Sequence, residues 1–544
     1  MQSLRKNRLF RFAVRLAATV SSLAVFIFLA PHIFAQNNPP PSLDQVAATA
    51  SDAAVGINVM WMIIGGFLVF FMQAGFALVE TGFTRTKNVA HTMMMNMMVF
   101  CIGAFGYWLT GFAFQFGAVN FTWPDVATAG AVASAGSTAW AHSPTTLGDF
   151  GGLLATPLIH FGQVGVLGGS GFMLLGLGTN FGILSFFLFQ MVFMDTAATI
   201  PTGAMAERLK FTGFCLMGLW VSMFIYPLVG GWIWGGGWLQ NLGRIAGLGN
   251  WAVDFAGSGV VHMIGGAVAL AGAIALGPRI GRFNADGSPN AMPGHNIPLG
   301  VLGTIILFFG WFGFNPGSSL GFMGGARVLA VNAAVNTLIA GATAGSVAML
   351  YMWLIHPSKK PDPSMSVNGI LAGLVAITAP CAFVDSVGAT IIAIVAGVLV
   401  CLAAQLLEKL HIDDPVGAVP VHFFNGIWGV IAVGIFAKGL PETAGWNGMQ
   451  TPVTGLLYGG GTQILAQLSE VAAIFVFVFG LSFVFFKALN ALKLLRVKPE
   501  DELAGLDMPE MGAPGYSTVD VRMPGGRLSV QAPAMRTTTA PVAK

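Results

Sequence analysis

Charged residues are scarce in this chain of 544 residues. Asp, Glu, Lys and Arg make up 9% of it, against about 25% in an average soluble domain. So few charges cannot cover the surface of a soluble protein of this length, and a hydrophobic content of 55% excludes a disordered chain. The four cysteines lie in apolar stretches without metal-site or disulfide spacing, which excludes a disulfide scaffold. The net charge of +3 gives no reason to expect a nucleic-acid partner.

Glycine and long apolar runs are abundant instead. The 73 glycines are typical of closely packed membrane helices. Eleven apolar stretches approach the ~20 residues needed to cross a bilayer. They lie near 57–80, 88–114, 180–203, 211–235, 254–277, 298–316, 327–355, 367–384, 386–408, 418–437 and 464–491. The sequence therefore predicts an all-α polytopic membrane protein with eleven transmembrane helices.

The N-terminus has the pattern of a secretory signal. Basic residues up to Arg15 precede an apolar run over 16–30, and the small residue Ala35 follows. This predicts a signal peptide over 1–35 and an exported linker over 36–56, which contains three consecutive prolines. The alternative is an uncleaved first span, but the apolar run is short for that.

The distribution of basic residues predicts the orientation. With the mature N-terminus outside, alternate loops face the cytoplasm and should carry Lys and Arg. The predicted inner loops hold Arg85, Lys87, Arg208, Lys210, Arg279, Arg282, Lys359, Lys360 and Lys409, and the outer loops hold Arg244, Arg327 and Lys438. The long outer loop 115–179 contains neither residue type. We therefore expect a transmembrane domain over 57–492 in a bacterial inner membrane and a cytoplasmic regulatory tail over 493–544.

A weak internal repeat points to a functional site. Asp254 is followed eight residues later by His262, and Asp414 eight residues later by His422, in spans five and ten. A repeat of five spans inverts the topology of its second copy, a plan common in transporters. Both histidines then lie ~12 Å from opposite faces, near the middle of the membrane. The alternative is two independent histidines bonded to helix carbonyls. A zinc site would need further ligands, which this register does not supply, and the aspartates are expected to cap their helices.

Other clusters have simpler explanations. Aromatic residues crowd 186–193, 232–238 and 308–314, and most of these rings are expected to pack against lipid or at the membrane interface. A few could instead form a cation–π site or a narrow gate. The methionines of 93–98 invite a copper interpretation, but they point in different directions around a helix, so ordinary packing is the better one.

Five segments carry a more specific pattern. They are Gly75–Gly82 with Arg85–Asn88, Asp254–His262 running on to Arg279, Phe312–Ser318, Asp413–Pro415 leading to His422, and Arg496–Asp507. In this order, over about residues 57–516, they resemble the ammonium transporter family (Amt/MEP/Rhesus). The resemblance implies eleven spans with a five-plus-five inverted repeat, one pore in each protomer of a homotrimer, no enzymatic activity and no cofactor or metal.

The resemblance also implies roles for individual residues. His262 and His422 match the twin pore histidines. The remaining matches are Trp234, Ser318 and Phe193 in an outer cation site, Phe193 and Phe314 in a phenylalanine gate, and Asp254 at the entrance. The chain departs from the family pattern at Asp195, Pro201 and Glu80, and in the length of loop 115–179. Asp195 lies about 200° around its helix from Phe193 and should face away from the pore.

The implied function is transport of ammonium or ammonia. The ion would be recruited outside, lose water and a proton, and pass the histidines as a neutral species. One alternative is an ammonium sensor that signals to a cytoplasmic PII-type protein, although a tail of about 50 residues is short for a signalling domain. Another is an inverted-repeat carrier for a different small cation. The acidic tail segment 496–512 is expected to dock on the basic inner loops at Arg85 and Lys87.

Overall fold

The computed structural model describes residues 42–117, 157–161, 164–175, 181–449 and 451–516, together with Arg15, Thr19 and the strand residues 121–122 and 141–142. Apart from Arg15 and Thr19, the predicted signal peptide lies outside the described residues. The chain divides into two units, Met1–Ala53 and Ala54–Lys544. The second unit contains the transmembrane helices beyond the first turns of α1.

Eleven apolar helices occur in the part of the chain that the structure describes. They are α1 (Leu43–Phe83), α2 (Thr86–Phe116), α3 (Phe181–Met205), α4 (Phe211–Trp234), α5 (Ser258–Leu276), α6 (Ile297–Ser319), α7 (Ala326–Ile355), α8 (Pro363–Thr378), α9 (Ser386–Lys409), α10 (Val419–Phe436) and α11 (Gln463–Ala491). All except α8 are long and apolar enough to cross a membrane. The prediction of an all-α polytopic membrane protein is therefore confirmed.

Two helices begin or end away from the predicted positions. Helix α1 begins at Leu43, inside the predicted linker, because Ser42 and Gln45 bond reciprocally to each other's backbone N–H at 3.2 and 2.9 Å. This Ser-x-x-Gln pattern is a capping box. Helix α8 covers 16 residues, from Pro363 to Thr378, rather than 367–384. Asp362 caps it by accepting from the Met365 N–H at 3.0 Å, and Pro380 cannot continue a helix.

Helices α5 and α10 form the centre of the bundle. The later part of α5 packs against the start of α10, and the later part of α10 packs against the start of α5, as an inverted repeat requires. Large apolar side chains are exposed on several other helices, among them Ile305, Val331, Ile394 and Val484. Exposed apolar surface of this kind suits contact with lipid rather than water.

Short strands occur in the loop that separates α2 from α3. Strand β1 (Phe121–Thr122) pairs antiparallel with β2 (Ala141–His142), and β3 (Pro157–Phe161) pairs antiparallel with β4 (Val164–Gly168). Trp232 of α4 donates its indole N–H to the carbonyl of Val166, in β4, at 3.0 Å. Strand β4 therefore packs on the C-terminal end of α4.

Candidate functional site

The two repeated histidines meet at the centre of the bundle. The Nδ1 atoms of His262 and His422 are 3.2 Å apart, and the side chains are 0% and 4% exposed. Each histidine lies in a π-helical turn, Ser258–Met263 in α5 and Val419–Phe424 in α10. Such turns are rare and occur often at functional sites. The predicted convergence of the two halves of the repeat is present in the structure.

The close approach depends on a glycine four residues after each histidine. A Cβ on Gly266 would lie 2.4 Å from the Phe423 nitrogen, and one on Gly426 would lie 2.7 Å from the Ser258 carbonyl oxygen. Any larger residue at either position would push the two helices apart. The glycines therefore let the backbones of α5 and α10 cross in contact.

The aspartates of the repeat cap these helices, as the sequence predicts. The Asp254 carboxylate accepts from four backbone N–H groups, those of Gly257 and Ser258 at Oδ1 and those of Gly259 and Val260 at Oδ2. Asp414 accepts from the N–H groups of Gly417 and Val419 at 3.0 and 2.7 Å. Because helix α5 begins only at Ser258, His262 lies in its second turn rather than deep inside a longer helix.

Aromatic rings stack next to the histidine pair, on the side where Asp254 lies. The centroids of Phe193 and Phe314 are 4.0 Å apart in a stacked pair. Phe314 stacks on His262 at 5.5 Å, and Phe193 meets Trp234 edge-on at 6.2 Å. The structure thus brings together the two predicted gate residues and places Phe314 directly beside His262.

A small cavity lies beyond this stacked pair. Trp234, Ser318 and Phe193, the residues matched to an outer cation site, all line it. Gln190, Trp446 and Asn447 line it too and were not predicted from the sequence as site residues. Trp446 donates its indole N–H to the Ser318 carbonyl at 2.9 Å. The one feature of the sequence that could have indicated this contact is the single tryptophan in the loop after α10.

Two cavities lie on the other side of the histidines. A small cavity is lined by His422, Phe76, Glu80 and mainly apolar residues. A larger one shares Asn368, Val416 and Gly417 with it. It also contains Arg282 and Asp414. We call the end of the bundle that carries this larger cavity and residues 493–516 the C-terminal face. Cavities, aromatic rings and histidines therefore lie along one path.

Asp195 is buried in α3 and does not line these three cavities, as formed by the described residues. This agrees with the predicted orientation away from Phe193. Its Oδ1 atom has no hydrogen-bond partner among the described residues. The predicted contact with a neighbouring helix or subunit stays a prediction.

A buried network of charges organises the C-terminal face. Glu207 accepts from the Arg85 Nε at 2.6 Å and lies 3.2 Å from the Arg279 guanidinium. Arg279 donates to both oxygens of Asp413 at 2.8 and 2.9 Å. Burial, the largest influence, acts to raise the pKa of Glu207, but Arg279 and Arg85 together hold it below its ordinary value. Burial acts in the same way on Asp413, and Arg279 and Arg208 hold its pKa well below its ordinary value.

The C-terminal segment 496–516 docks on the same face. Glu502, in the short helix α12 (Pro499–Ala504), accepts from the Ile280 N–H at 2.7 Å and from Arg496 at 2.9 Å. Asp507 accepts from the His91 N–H at 3.0 Å. The Lys87 ammonium donates to the carbonyls of Glu502 and Leu503 at 2.9 and 2.6 Å. The predicted docking is confirmed at Lys87, whereas Arg85 pairs with Glu207.

The chain resembles proteins of one family along most of its length. A sequence model of the Ammonium Transporter Family matches residues 60–516. The ammonium transporter Amt2 of Archaeoglobus fulgidus is 42% identical over 464 residues, which cover 85% of this chain and 88% of that protein. The ammonium transporter 1 member 3 of Solanum lycopersicum is 34% identical over 473 residues, with coverage of 85% and 93%.

Solved structures agree with this comparison. A structure described as a Sensor Amt Protein matches with a TM-score of 0.68 and 35% identity, covering 85% of this chain and 99% of its own. Mep2 of Candida albicans matches with a TM-score of 0.64 and 25% identity, with coverage of 82% and 87%. The extent of the family match and the identity to these relatives show that the chain belongs to the Ammonium Transporter Family.

Proposed function

We propose that this protein transports ammonium across the membrane along the path through the paired histidines. The observation that carries the proposal is the direct contact of two buried imidazoles between an aromatic cavity on one side and two cavities on the other. Ionisable side chains at this depth are costly and usually mark a substrate or proton pathway. The named function of the relatives supports the same substrate.

The cycle begins in the aromatic cavity. An ammonium ion there meets the faces of Trp234 and Phe193 and polar atoms of Ser318, which together replace part of its hydration by cation–π contacts and hydrogen bonds. The Asp254 carboxylate, fully engaged by backbone N–H groups, holds the start of α5 rather than the ion. Beyond the stacked pair of Phe193 and Phe314 the path is apolar, so the ion must first give up a proton, which returns to the water outside, and it proceeds as ammonia.

The histidine pair then selects the species that passes. With Nδ1 atoms 3.2 Å apart, one ring donates its N–H to the lone pair of the other, which fixes opposite tautomers. Outside the shared contact, one Nε2 is then an acceptor and the other a donor. Ammonia can donate hydrogen bonds to such a pair and potassium cannot. The free energy needed to transfer a bare potassium ion from water to the pore is therefore not offset, while the transfer of neutral ammonia requires little.

We further propose the orientation and assembly that the resemblance implies. The C-terminal face, where Arg85, Arg208, Arg279, Arg282 and Arg496 cluster, faces the cytoplasm of a bacterial cell, as the positive-inside rule favours. The mature chain begins after residue 35, its transmembrane domain covers 57–492, and it assembles as a homotrimer. A PII-type protein binding at this face would contact the docked tail.

The proposal is tested with purified protein in proteoliposomes. An ammonium gradient should produce a current or an internal pH change that a potassium gradient does not. Replacing His262 and His422 together by leucine should abolish the ammonium response, because an apolar pair offers no acceptor. Intact ammonium flux with potassium still excluded in the double variant would show that the histidines do not select. No response by the parent protein would remove the transport proposal.

A second candidate function is ammonium sensing. It is favoured by the docked tail, which connects Glu502 to Ile280 after α5, and by the likeness to a structure described as a Sensor Amt Protein. A sensor would change its affinity for a PII-type protein on binding ammonium while moving little of it. Flux in proteoliposomes and ammonium-dependent binding of that partner therefore separate the two functions.

A further inference from the structure

Glu80 is an acidic side chain on the path that the proposed cycle leaves unused. It lies near the end of α1 and is 3% exposed. It lines the small cavity on the C-terminal side of His422. Among the described residues that line this cavity, Glu80 and His422 are the ionisable ones, and the rest are apolar or neutral. A molecule that leaves the histidines in this direction therefore meets one carboxyl group.

Two polar side chains from other helices hold the Glu80 carboxyl. The hydroxyl oxygen of Thr202, in α3, lies 2.6 Å from Oε1 and 2.8 Å from Oε2. The amide of Asn96, in α2, donates to Oε2 at 2.7 Å. Gly203 leaves room for this arrangement, because a Cβ there would lie 3.1 Å from Oε1 and 2.4 Å from a Val416 methyl. The carboxyl is thus fixed at the cavity wall.

The hydroxyl of Thr202 can form a hydrogen bond with Glu80 in either protonation state of the carboxyl group. The Thr202 hydroxyl also lies 2.6 Å from the Thr199 carbonyl oxygen, and it has a single hydrogen to donate. When that hydrogen goes to the carbonyl, the Thr202 oxygen accepts from a protonated Glu80. When Glu80 is ionised, the hydroxyl turns and donates to it, alongside Asn96. Neither state leaves the carboxyl unpaired, so a proton can come and go without rearranging the helices.

The position of Glu80 places it between the histidines and water. Phe76, one turn earlier in α1, packs against the His422 ring with centroids 6.3 Å apart. On the other side, Asn368, Val416 and Gly417 border both this cavity and the larger one at the C-terminal face. A proton can therefore be exchanged with water on that side and with the substrate on the other.

We propose that Glu80 is the group that exchanges a proton with the substrate on the C-terminal side of the histidines. The carboxylic acid gives its proton to ammonia arriving from His422, which forms ammonium and the Glu80 carboxylate. The carboxylate then takes a proton from water in the larger cavity, and the hydroxide left is neutralised in bulk solution. In the opposite direction the carboxylate deprotonates incoming ammonium. The assignment rests on the proposed transport function and adds a proton-exchange site to it.

The charged and titratable neighbours of Glu80 are few. His422 faces the cavity from α10, and Asp414, in the loop before α10, acts on Glu80 through its charge. The contacts from α2 and α3 are the neutral side chains of Asn96 and Thr202. The pH dependence of flux with respect to the solution at the C-terminal face should therefore report mainly on Glu80.

The test compares Glu80→Gln with the parent protein in proteoliposomes. Glutamine keeps the size of the side chain but cannot carry the proton, so ammonium flux should fall by roughly a hundredfold, a usual effect of losing a general acid. The residual flux should lose its dependence on pH at the C-terminal face. Glu80→Asp should restore part of both. In infrared difference spectra, the protonated-carboxyl band that ammonium removes should be missing from Glu80→Gln.

Glu470 provides the matched control. It is a buried glutamate in α11 beside Asp254, on the other side of the histidines, and it does not line the three cavities formed by the described residues. Glu470→Gln should leave the dependence of flux on pH at the C-terminal face unchanged. Parent-like flux and pH dependence in a correctly folded Glu80→Gln would overturn the assignment alone. Absence of ammonium flux in the parent protein would overturn it together with the transport proposal. Equal losses in both variants would also count against Glu80, because they would indicate a general effect of removing a buried acid.

Discussion

Replacing Asp413 by asparagine should destabilise the protein through the charge network of the C-terminal face. Asp413 is 2% exposed and receives both arms of the Arg279 guanidinium, at 2.8 and 2.9 Å, as well as its backbone N–H at 2.9 Å. Asparagine has nearly the same shape but cannot neutralise Arg279. The variant therefore keeps the packing and removes the negative charge together with one of the two acceptors that face Arg279.

The expected loss is about 3 kcal/mol. Breaking a buried ion pair by removing one partner costs about 3–5 kcal/mol, because the other charge stays buried. We expect the lower end because Arg279 keeps its contact with Glu207 at 3.2 Å. Asp385→Asn is the matched control, since its partner Lys438 is exposed. Asparagine still caps α9 there, so this variant should unfold like the parent.

The buried thiols Cys381 and Cys401 report unfolding by reacting with a thiol-specific dye. In detergent, Asp413→Asn should lower the midpoint by about 3–6 °C. Since the pKa of Asp413 is held below its ordinary value, its contribution is complete above about pH 4 and is lost as the pH falls through the folded-state pKa. The variant should therefore lose less stability than the parent on acidification. Equal midpoints for Asp413→Asn and Asp385→Asn would refute the reasoning.

Three further predictions concern the path and the tail. Replacing either His262 or His422 by glutamate should keep ammonium flux but admit potassium, because a fixed negative charge lowers the free energy of a bare cation in the pore. Potassium entry is measured as current under a potassium gradient. Exclusion of potassium in both variants would count against the pair as the selective element. Deleting 496–544 should change ammonium flux or abolish binding of a PII-type protein, because Glu502 accepts from the Ile280 N–H and Asp507 accepts from the His91 N–H. Unchanged flux together with unchanged partner binding would remove the regulatory role. Asp195→Asn should impair assembly or thermal stability more than selectivity. Size-exclusion chromatography reports the assembly, and the ratio of ammonium to potassium flux reports the selectivity. A stable oligomer with altered selectivity would contradict this.

Local sequence patterns were sufficient for the helices and for the pairing of the histidines. The length of an apolar run is a local property, and ten of the eleven predicted spans correspond to helices long enough to cross a membrane. The eighth was misplaced because its apolar run continues past Pro380, where the helix has already ended at Thr378. The approach of the two histidines was predictable because an inverted repeat runs its two copies in opposite directions. Residues at the same position in each copy therefore lie at the same depth from opposite faces of the membrane.

Only the tertiary structure decided which side chains share a cavity. Trp446 and Asn447 come from a loop after α10 and meet Ser318 after α6, a contact that no sequence period encodes. Glu80 looked like an isolated departure from the family pattern, and its partners Asn96 and Thr202 belong to two other helices.

The chain by itself therefore determined which segments cross the membrane and that the two halves oppose each other. These properties depend on composition and spacing within a segment, where the hydrophobic effect acts on each helix separately. The neighbours of Glu80, the stacked pair of Phe193 and Phe314 and the charge network around Asp413 were decided by packing. They depend on how glycines such as Gly203, Gly266 and Gly426 let helices approach, and that follows from the fit of many side chains at once.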